Sequence, residues 1–145
     1  MKVYIAGPLF NEMEQERNRR IRDLLENLGY ETYLPQEDGG LAYEEIQSGR
    51  DVSDVRKELF ERDVQEVREA DIFLALLDGR VPDEGLCVEL GIAHALGKTC
   101  IGYRTDTRQL DTHGQNLMID GCLDATISSL KEFEQVCSNL LTLQN

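Results

Sequence analysis

Basic residues are scarce in this chain. Among its 145 residues, 15 are Lys or Arg and 28 are Asp or Glu, so the net charge is −13. A surface with this excess of negative charge repels phosphate polymers and anionic lipids, which argues against nucleic-acid binding and against attachment to a membrane surface. We therefore expect a partner that is small and neutral, or a cation.

Long hydrophobic runs are also missing. No stretch approaches the roughly 18 apolar residues that span a bilayer, and the apolar start of the chain is too short for a signal peptide, so we expect a cytoplasmic protein. Hydrophobic residues make up 41% of the chain and charged residues 30%, a balance typical of folded globular proteins. The length predicts a single domain, residues 1–145, with one core.

Signatures of metal and nucleotide binding are absent as well. The four cysteines form no C-x-x-C pair and there are two histidines, which argues against a zinc site and favours cysteines that act as small buried hydrophobes. Neither G-x-G-x-x-G after the first strand nor G-x-x-x-x-G-K-S/T occurs. The dinucleotide-binding and P-loop classes therefore lose their main sequence support.

Apolar segments of the chain alternate between strand-like and helix-like patterns. Short apolar runs predict strands at 3–6, 30–34, 70–77 and 99–103, of which 70–77 should be central and covered on both faces. Apolar residues at helical spacing predict helices at about 11–28, 55–67, 85–96 and from 129 onward. This order predicts a single-domain α/β fold, doubly wound around a mainly parallel sheet, flavodoxin-like or Rossmann-like without the dinucleotide fingerprint.

Three details of this fold are also expected. The first helix should turn Ile21, Leu24, Leu25 and Leu28 inward. Residues 36–54 show little periodicity and should form a long loop, of the kind that serves as a lid or stays disordered. The last helix should begin with a capping box of Ser129 and Glu132 and bury its apolar residues, Leu130, Phe133, Val136, Cys137, Leu140 and Leu141.

Ligands of parallel sheets bind beyond the carboxyl ends of the strands, so residues 7–10, residues 78–84 and the polar stretch 104–115 should border one crevice. Glu89 is the unusual carboxylate near it, because it lies in an otherwise apolar helix. Its neighbours at helical spacing, Gly85, Ala93 and Gly97, are small and leave room for a ligand. The pattern equally allows close packing of this helix on the sheet, with Glu89 capping a neighbouring group.

Two further acids accompany Glu89. Asp63 lies on the helix before the central strand, and Asp83 lies where the Glu89 helix begins. An acid at a helix N-terminus is stabilised by the helix dipole, so capping is the simpler interpretation of Asp83. We interpret Asp71, at the start of the central strand, as structural. Two carboxylates in one crevice are what glycosyl transfer requires, although spacing alone does not show that they meet.

The sequence resembles the nucleoside 2-deoxyribosyltransferases from residue 2 to about 119. The resemblance is carried by the opening segment 2–10, by Asp63, by Asp-x-Gly-x-x-x-Glu-Leu-Gly-x-Ala at 83–93 and by Asn-Leu-Met at 116–118. It implies that Glu89 is the nucleophile, which attacks C1′ of deoxyribose and forms a covalent ester. It also implies that Tyr4 orients Glu89, and that Asp63 and Asp83 protonate the leaving base.

The resemblance also implies how the substrate is bound. Phe10 should stack near the base, while Asn116 should reach the sugar from a neighbouring subunit, with Met118 beside it. Gly7 and Gly85, which fall in the matched motifs, are expected to contact the substrate. The implied partners are a deoxynucleoside and a free nucleobase, in a homodimer or higher oligomer with shared active sites. The chemistry implies no metal and no organic cofactor.

Two other functions stay open. Related hydrolases act on the N-glycosidic bond of deoxynucleoside 5′-phosphates, but they carry a Gly-Gly-Arg-type loop after the first strand, where this chain has residues 7–11. This difference favours a nucleoside over a nucleotide. The arginines of the first helix, Arg17, Arg19, Arg20 and Arg22, alternate with acids, so we expect a solvated face rather than phosphate contacts. A catalytically silent nucleoside or nucleotide sensor is the other alternative, because fold does not fix activity.

Overall fold

The computed structural model describes residues 1–40, 42–79, 81–106 and 116–143. Its strands form one parallel sheet in the order β2-β1-β3-β4-β5, which confirms the predicted α/β class. The strands are β1 (Lys2–Ala6), β2 (Glu31–Tyr33), β3 (Ile72–Leu76), β4 (Thr99–Tyr103) and β5 (Ala125–Ile127). The order reverses between β1 and β3, and crevices at such a switch point hold the ligands of doubly wound sheets.

Helices cover both faces of the sheet. They are α1 (Glu12–Asn27), α2 (Ala42–Gln47), α3 (Val52–Glu69), α4 (Glu84–Ala95), α5 (Leu117–Cys122) and α6 (Phe133–Leu143). Two short helical segments are not α-helical: Pro35–Gly39 is a π-helix, and Leu130–Glu132 is a 3₁₀ helix. In the described ranges, no helix is long and apolar enough to cross a membrane.

The core consists of two layers, because successive residues of a strand point to opposite faces. On one face Phe73 and Ala75 of β3 pack with residues of α3, α4 and α5. On the other face Ile72, Leu74 and Leu76 pack with residues of α1 and α6. All five residues of β3 are buried, so the prediction of a central strand covered on both sides is confirmed.

Two expectations about α1 and the following connection were wrong. Ile21 and Leu25 are buried, but Leu24 and Leu28 are exposed because they lie beside the end of β4 and the β5–α6 connection, which do not cover them. The segment 36–54 is not one long loop: it contains the π-helix, α2 and the start of α3. The carboxylate of Asp51 caps α3 by accepting hydrogen bonds from the amides of Ser53 and Asp54.

The C-terminal part also differs from expectation. The short strand β5 was not predicted, since three residues are too few to show alternation. The Ser129 hydroxyl accepts from the amide of Lys131, while Glu132 pairs with the Ser128 hydroxyl, so the expected capping box does not form. Phe133 and Cys137 are buried as predicted. The side chains of Leu140 and Leu141 and residues 107–115 of the polar stretch lie outside the described part.

Candidate active site

The site centres on a hydrogen bond between Tyr4 and Glu89. Tyr4 is fully buried in the middle of β1, on the face that α3 and α4 cover, and Glu89 lies in the middle of α4. The Tyr4 hydroxyl donates to Oε1 of Glu89 at 3.1 Å. Within the described residues nothing donates to the other carboxylate oxygen, Oε2, which is not sealed from solvent. Glu89 is thus held through one oxygen and open at the other.

A row of aromatic rings fixes Tyr4 in place. Strand register sets Tyr4 beside Tyr33 of β2 on one side and Phe73 of β3 on the other. The Tyr4 ring stacks on both neighbours, with centroids 5.4 Å apart in each case and interplanar angles of 26° and 9°. Offset stacking adds about 0.5–1.5 kcal/mol per pair to the burial of the rings. The three rings therefore form a rigid platform beneath Glu89.

The second carboxylate of the site, Asp63, projects from α3. Its Oδ1 accepts a hydrogen bond from the Tyr33 hydroxyl at 3.4 Å. Asp63 and Glu89 line one cavity of about 230 Å³ between α3 and α4. The rest of the lining is apolar: Phe60, Val64, Val67, Gly85, Val88 and Ile92. The structure therefore brings together two of the acids that the sequence singled out.

Burial in this apolar cavity changes the protonation of both acids. Burial raises the pKa of Glu89 to about 8, helped by the negative charges of Asp63 and Asp83 and opposed by the Tyr4 hydrogen bond. Burial also raises the pKa of Asp63 to about 6, against the hydrogen bond from Tyr33 and the positive charge of Arg62. Of the two neighbouring carboxyls, Glu89 therefore keeps its proton to higher pH than Asp63.

Asp83 acts first as a helix cap. Its Oδ2 accepts a hydrogen bond from the amide of Leu86 at 2.9 Å at the start of α4, so the capping interpretation is confirmed. Asp83 is near enough to Glu89 to raise its pKa, but it is not among the residues that line the cavity with Asp63. Asp71 is structural as expected, since its carboxylate accepts from the backbone amide of Lys2 at 2.8 Å.

Four of the expected substrate-binding residues lie elsewhere. Gly7 follows β1, where a Cβ would approach Leu76 Cδ1 to 2.9 Å, so the close packing of this turn on β3 requires glycine. Phe10 is 76% exposed. The Asn116 side chain caps α5 by accepting from the amide of Met118, whose own side chain is 69% exposed. Among described residues, none of these four lines the cavity between Asp63 and Glu89.

Sequence reasoning missed Tyr33, Phe60 and Val88. Tyr33 was visible as part of a predicted strand, but only the register with β1 sets it beside Tyr4. Phe60 and Val88 fall within the predicted helices at 55–67 and 85–96, where nothing in the pattern marks them, yet both are more than half exposed at the cavity. A second groove, of about 590 Å³, lies on the other face of the sheet. Among the described residues that line it, Glu134 is the one acid, so this groove does not offer a pair of carboxylates.

No three His, Cys, Asp or Glu side chains in the described ranges are grouped so that they could hold a metal ion. The site offers instead a partly buried carboxylate with one oxygen open to the cavity, a second carboxyl with a raised pKa and an apolar wall. On a doubly wound parallel sheet, this set suits an enzyme that makes or breaks a glycosidic bond.

Comparison with known proteins gives the family. The family model described as nucleoside 2-deoxyribosyltransferase matches residues 3–134, and the chain belongs to this family. No curated protein sequence matches the chain.

Solved structures resemble the chain over nearly its whole length. A 2-deoxyribosyltransferase from Bacillus psychrosaccharolyticus is 25% identical, with a TM-score of 0.76 over 92% of this chain and 90% of that one. A conserved protein from Enterococcus faecalis V583 is 26% identical, with a TM-score of 0.77 over 95% and 98%. A CMP N-glycosidase from Clostridium botulinum, 21% identical with a TM-score of 0.58 over 95% and 99%, shares the fold.

Proposed function

We propose that this chain transfers 2-deoxyribose between nucleobases by double displacement, with net retention, through a covalent ester on Glu89. The observation that supports the proposal is the apolar cavity that holds Glu89, oriented by Tyr4, together with Asp63. The family match and the likeness to a solved 2-deoxyribosyltransferase agree with it. The substrates would be a deoxynucleoside and a free nucleobase, and no cofactor takes part.

In the first half-reaction Oε2 of Glu89 attacks C1′, because Oε1 is held by Tyr4. A C1′–O bond forms while the bond from C1′ to the base nitrogen breaks. The electron pair of that bond goes to the leaving base, which takes a proton from Asp63. The product is a glycosyl ester of Glu89 with inverted configuration at C1′.

In the second half-reaction a nitrogen of the incoming base attacks C1′ from the face that the first base left. The base gives a proton to the Asp63 carboxylate, and the electron pair of the C1′–O ester bond returns to Glu89. Two inversions give net retention. Asp83, whose Oδ2 caps α4, would assist at the base through its other oxygen.

Reaction requires that the single proton of the pair lie on Asp63. Asp63 and Glu89 share one apolar cavity and titrate as a coupled pair that holds one proton near neutral pH, and the higher pKa of Glu89 places that proton mainly on Glu89. The reactive form, with the proton on Asp63 and the charge on Glu89, is therefore the less populated of the two. The Tyr4 hydrogen bond favours that form, since it stabilises the ionised Glu89 carboxylate.

The proposal includes a homodimer or higher oligomer with shared sites. Apolar side chains are exposed on the elements around the cavity, at Phe60, Val88, Leu117 and Met118. Such a patch beside a site is typical of an interface rather than of a free surface. In the oligomer, Asn116 and Met118 of a neighbouring copy would complete each cavity, and Gly7, Phe10 and Gly85 would contact the substrate. We expect the protein to act in the cytoplasm.

Hydrolysis is the second candidate. It would use the same Glu89 ester, with water instead of a base in the second half-reaction, on a deoxynucleoside or its 5′-phosphate. A catalytically silent sensor is disfavoured by the carboxylate pair, because placing two acids together in one apolar cavity destabilises a fold that does not use them.

Chromatography of a two-base reaction separates these functions. The protein is incubated with a deoxynucleoside and a second free base, and with a deoxynucleoside 5′-phosphate in a parallel sample. A new nucleoside supports transfer, whereas free deoxyribose or its 5-phosphate without a new nucleoside would show hydrolysis. The exposed-acid variant Glu61→Gln on α3 is the matched control and should behave as wild type. Unchanged substrates across purine and pyrimidine nucleosides and nucleotides would contradict both enzymatic proposals.

A further inference from the structure

Each carboxylate of the site is held by a different tyrosine, and the two tyrosines stack on each other. Tyr4 donates to Glu89, and Tyr33 donates to Oδ1 of Asp63. We propose that Tyr33 is a positioning residue for proton transfer: it holds Oδ1 of Asp63, so that Asp63 carries its mobile proton on Oδ2. This inference rests on the proposed function, in which Asp63 exchanges a proton with the base.

Tyr33 is placed to hold Asp63 rigidly. The residue is 6% exposed and its ring stacks on Tyr4, while the ammonium of Lys2 lies 5.9 Å from the ring centroid in a cation–π contact. Lys2 is itself fixed by ion pairs with Glu66 and Glu69 of α3 at 2.5 and 3.4 Å. The phenol therefore has little freedom to follow another partner.

The Tyr33 hydroxyl is the only hydrogen-bond donor to Asp63 among the described residues. Burial and the nearby acids raise the pKa of Tyr33 far above its ordinary value, so the phenol keeps its proton and donates. Oδ1 is thereby occupied as an acceptor, and Oδ2 is left for the proton. When the proton stays on one oxygen, less conformational entropy is lost in reaching the geometry of proton transfer, and the rate is higher.

Gly39, at the end of the π-helix, makes the space for this contact. A Cβ at position 39 would lie 2.8 Å from the Tyr33 hydroxyl oxygen, but 3.7 Å from the ring carbon that bears it and 3.6 Å from Asp63 Oδ1. Only the hydroxyl would clash. The guanidinium of Arg62, next to Asp63, donates to the Gly39 carbonyl and ties this segment to α3.

The test begins with Tyr33→Phe, which removes the hydroxyl and keeps the ring. We expect kcat for a poorly leaving base to fall about 3- to 10-fold, which is the effect of one uncharged hydrogen bond, with little change in KM. For an activated base, which needs less protonation to leave, the fall in kcat should be smaller. Tyr30→Phe is the matched control, because the Tyr30 hydroxyl contacts Cys137 on the other face of the sheet.

The pH profile separates positioning from a general structural effect. The charged and titratable groups around Asp63 are Glu89 on α4, Arg62 and Glu66 on α3, Tyr4 on β1 and Tyr33 on β2. Tyr33 lowers the pKa of Asp63 by bonding to its carboxylate. Activity requires one proton on the Asp63–Glu89 pair, so the acid limb of the profile follows the loss of the first proton, near the Asp63 pKa of about 6. Tyr33→Phe raises that pKa and should therefore move the acid limb to higher pH, and Tyr30→Phe should not.

A double-mutant cycle with Gly39→Ala tests the contact itself. Alone, Gly39→Ala displaces the hydroxyl and should give the same loss and the same pH shift as Tyr33→Phe. In the double variant the hydroxyl is gone and the added methyl group fits against the ring, so no further loss is expected. Additive losses in the double variant would overturn the proposal, because they would mean that Gly39 acts independently of the Tyr33 hydroxyl.

A readout that needs no turnover keeps this inference separate from the proposed function. The Asp63 carboxyl carbon can be titrated by ¹³C NMR, assigned with Asp63→Asn, in wild type, Tyr33→Phe and Tyr30→Phe. A higher Asp63 pKa in Tyr33→Phe alone supports the contact, and equal values in all three proteins would overturn it. A wild type without activity in the two-base reaction would instead refute the proposed function.

Discussion

The Tyr4 hydroxyl donates a hydrogen bond at 3.1 Å to Oε1 of Glu89, a residue 85 positions further along the chain. This contact joins the central part of β1 to the middle of α4, which packs on the same face of the sheet. Because it occupies one oxygen of the partly buried Glu89 carboxylate, it fixes which oxygen faces the cavity. This pairing and the nearby Asp63 determine the effects that we expect from substitutions at the site.

Removing the Glu89 carboxylate should abolish turnover. Glu89→Ala and Glu89→Gln both lack the nucleophile, and loss of a covalent nucleophile commonly lowers the rate by several orders of magnitude. Glu89→Gln should keep the fold and bind substrate, as measured by calorimetry. Mass spectrometry of rapidly quenched wild type should show the added deoxyribosyl group, which Glu89→Gln should lack. Activity of Glu89→Ala within tenfold of wild type would rule out Glu89 as nucleophile.

Tyr4→Phe should slow the reaction without unfolding the protein. The phenyl ring keeps the stacking with Tyr33 and Phe73, while the hydrogen bond to the charged Glu89 is lost. Such bonds contribute about 1.5–3 kcal/mol, or about 10- to 100-fold in rate. Steady-state kinetics and circular dichroism together check this expectation. Kinetics equal to wild type would mean that Tyr4 serves only the core.

Asp63→Asn and Asp83→Asn should affect substrates according to the leaving ability of the base. Proton delivery contributes about 10²- to 10⁴-fold for a base that leaves poorly and less for an activated one. The rate loss should depend more strongly on the leaving ability of the base in Asp63→Asn than in Asp83→Asn, because Asp63 lines the cavity while Asp83 caps α4. The measurement is kcat/KM across a series of bases. Equal losses for poor and good leaving groups would argue against proton donation.

Glu89→Gln should be more stable than wild type at alkaline pH. The pKa of Glu89 is about 8 in the folded protein against an ordinary 4.5, so the folded state binds the proton more tightly than the unfolded state. The stability from this group is present below about pH 4 and is lost as pH rises through 8. Gln stays neutral at every pH, so Glu89→Gln does not lose this stability as pH rises.

Thermal melts from pH 5 to 9 test this difference. The Tm values of Glu89→Gln and wild type should be close at pH 5 and diverge by several degrees at pH 9, since about 1 kcal/mol changes Tm by about 2–4 °C at this size. Glu61→Gln, which removes an exposed acid from α3, should show no such divergence. A Tm difference between Glu89→Gln and wild type that does not change with pH would mean that the pKa of Glu89 is not raised in the folded protein.

Shared active sites predict recovery of activity in mixed oligomers. Asn116→Ala and Glu89→Ala chains, each weak or inactive alone, should regain activity when their subunits exchange, because a hybrid dimer contains one intact site. Random mixing of equal amounts limits recovery to about a quarter of wild-type sites, since half of the dimers are hybrids with one good site each. No recovery, while mass spectrometry shows exchange, would place Asn116 outside the neighbour's site.

The sequence was sufficient to single out the two carboxylates that line the cavity and to predict four of the strands and the four long helices in their order. Glu89 stands out in the sequence because it is a lone acid in an apolar helix, where a charged side chain is costly to bury. The strand at 70–77 is recognisable because its residues form a nearly continuous apolar run. The burial of Leu24 and Leu28 was predicted wrongly from the same kind of pattern. Helical spacing gives the direction of a side chain but not whether another element covers it, and α1 lies where part of its inner stripe borders an open groove.

The sequence by itself determined the alternation of strands and helices, since hydrophobic periodicity is a local property that each segment carries alone. It also determined that Asp83 could cap a helix, because capping involves residues three positions apart. Only the tertiary structure decided that Tyr33 meets Asp63 and that the two acids have unequal pKa values. Strand register, burial and the distance between charges exist only in the packed chain, where residues far apart in sequence share one cavity of low polarity.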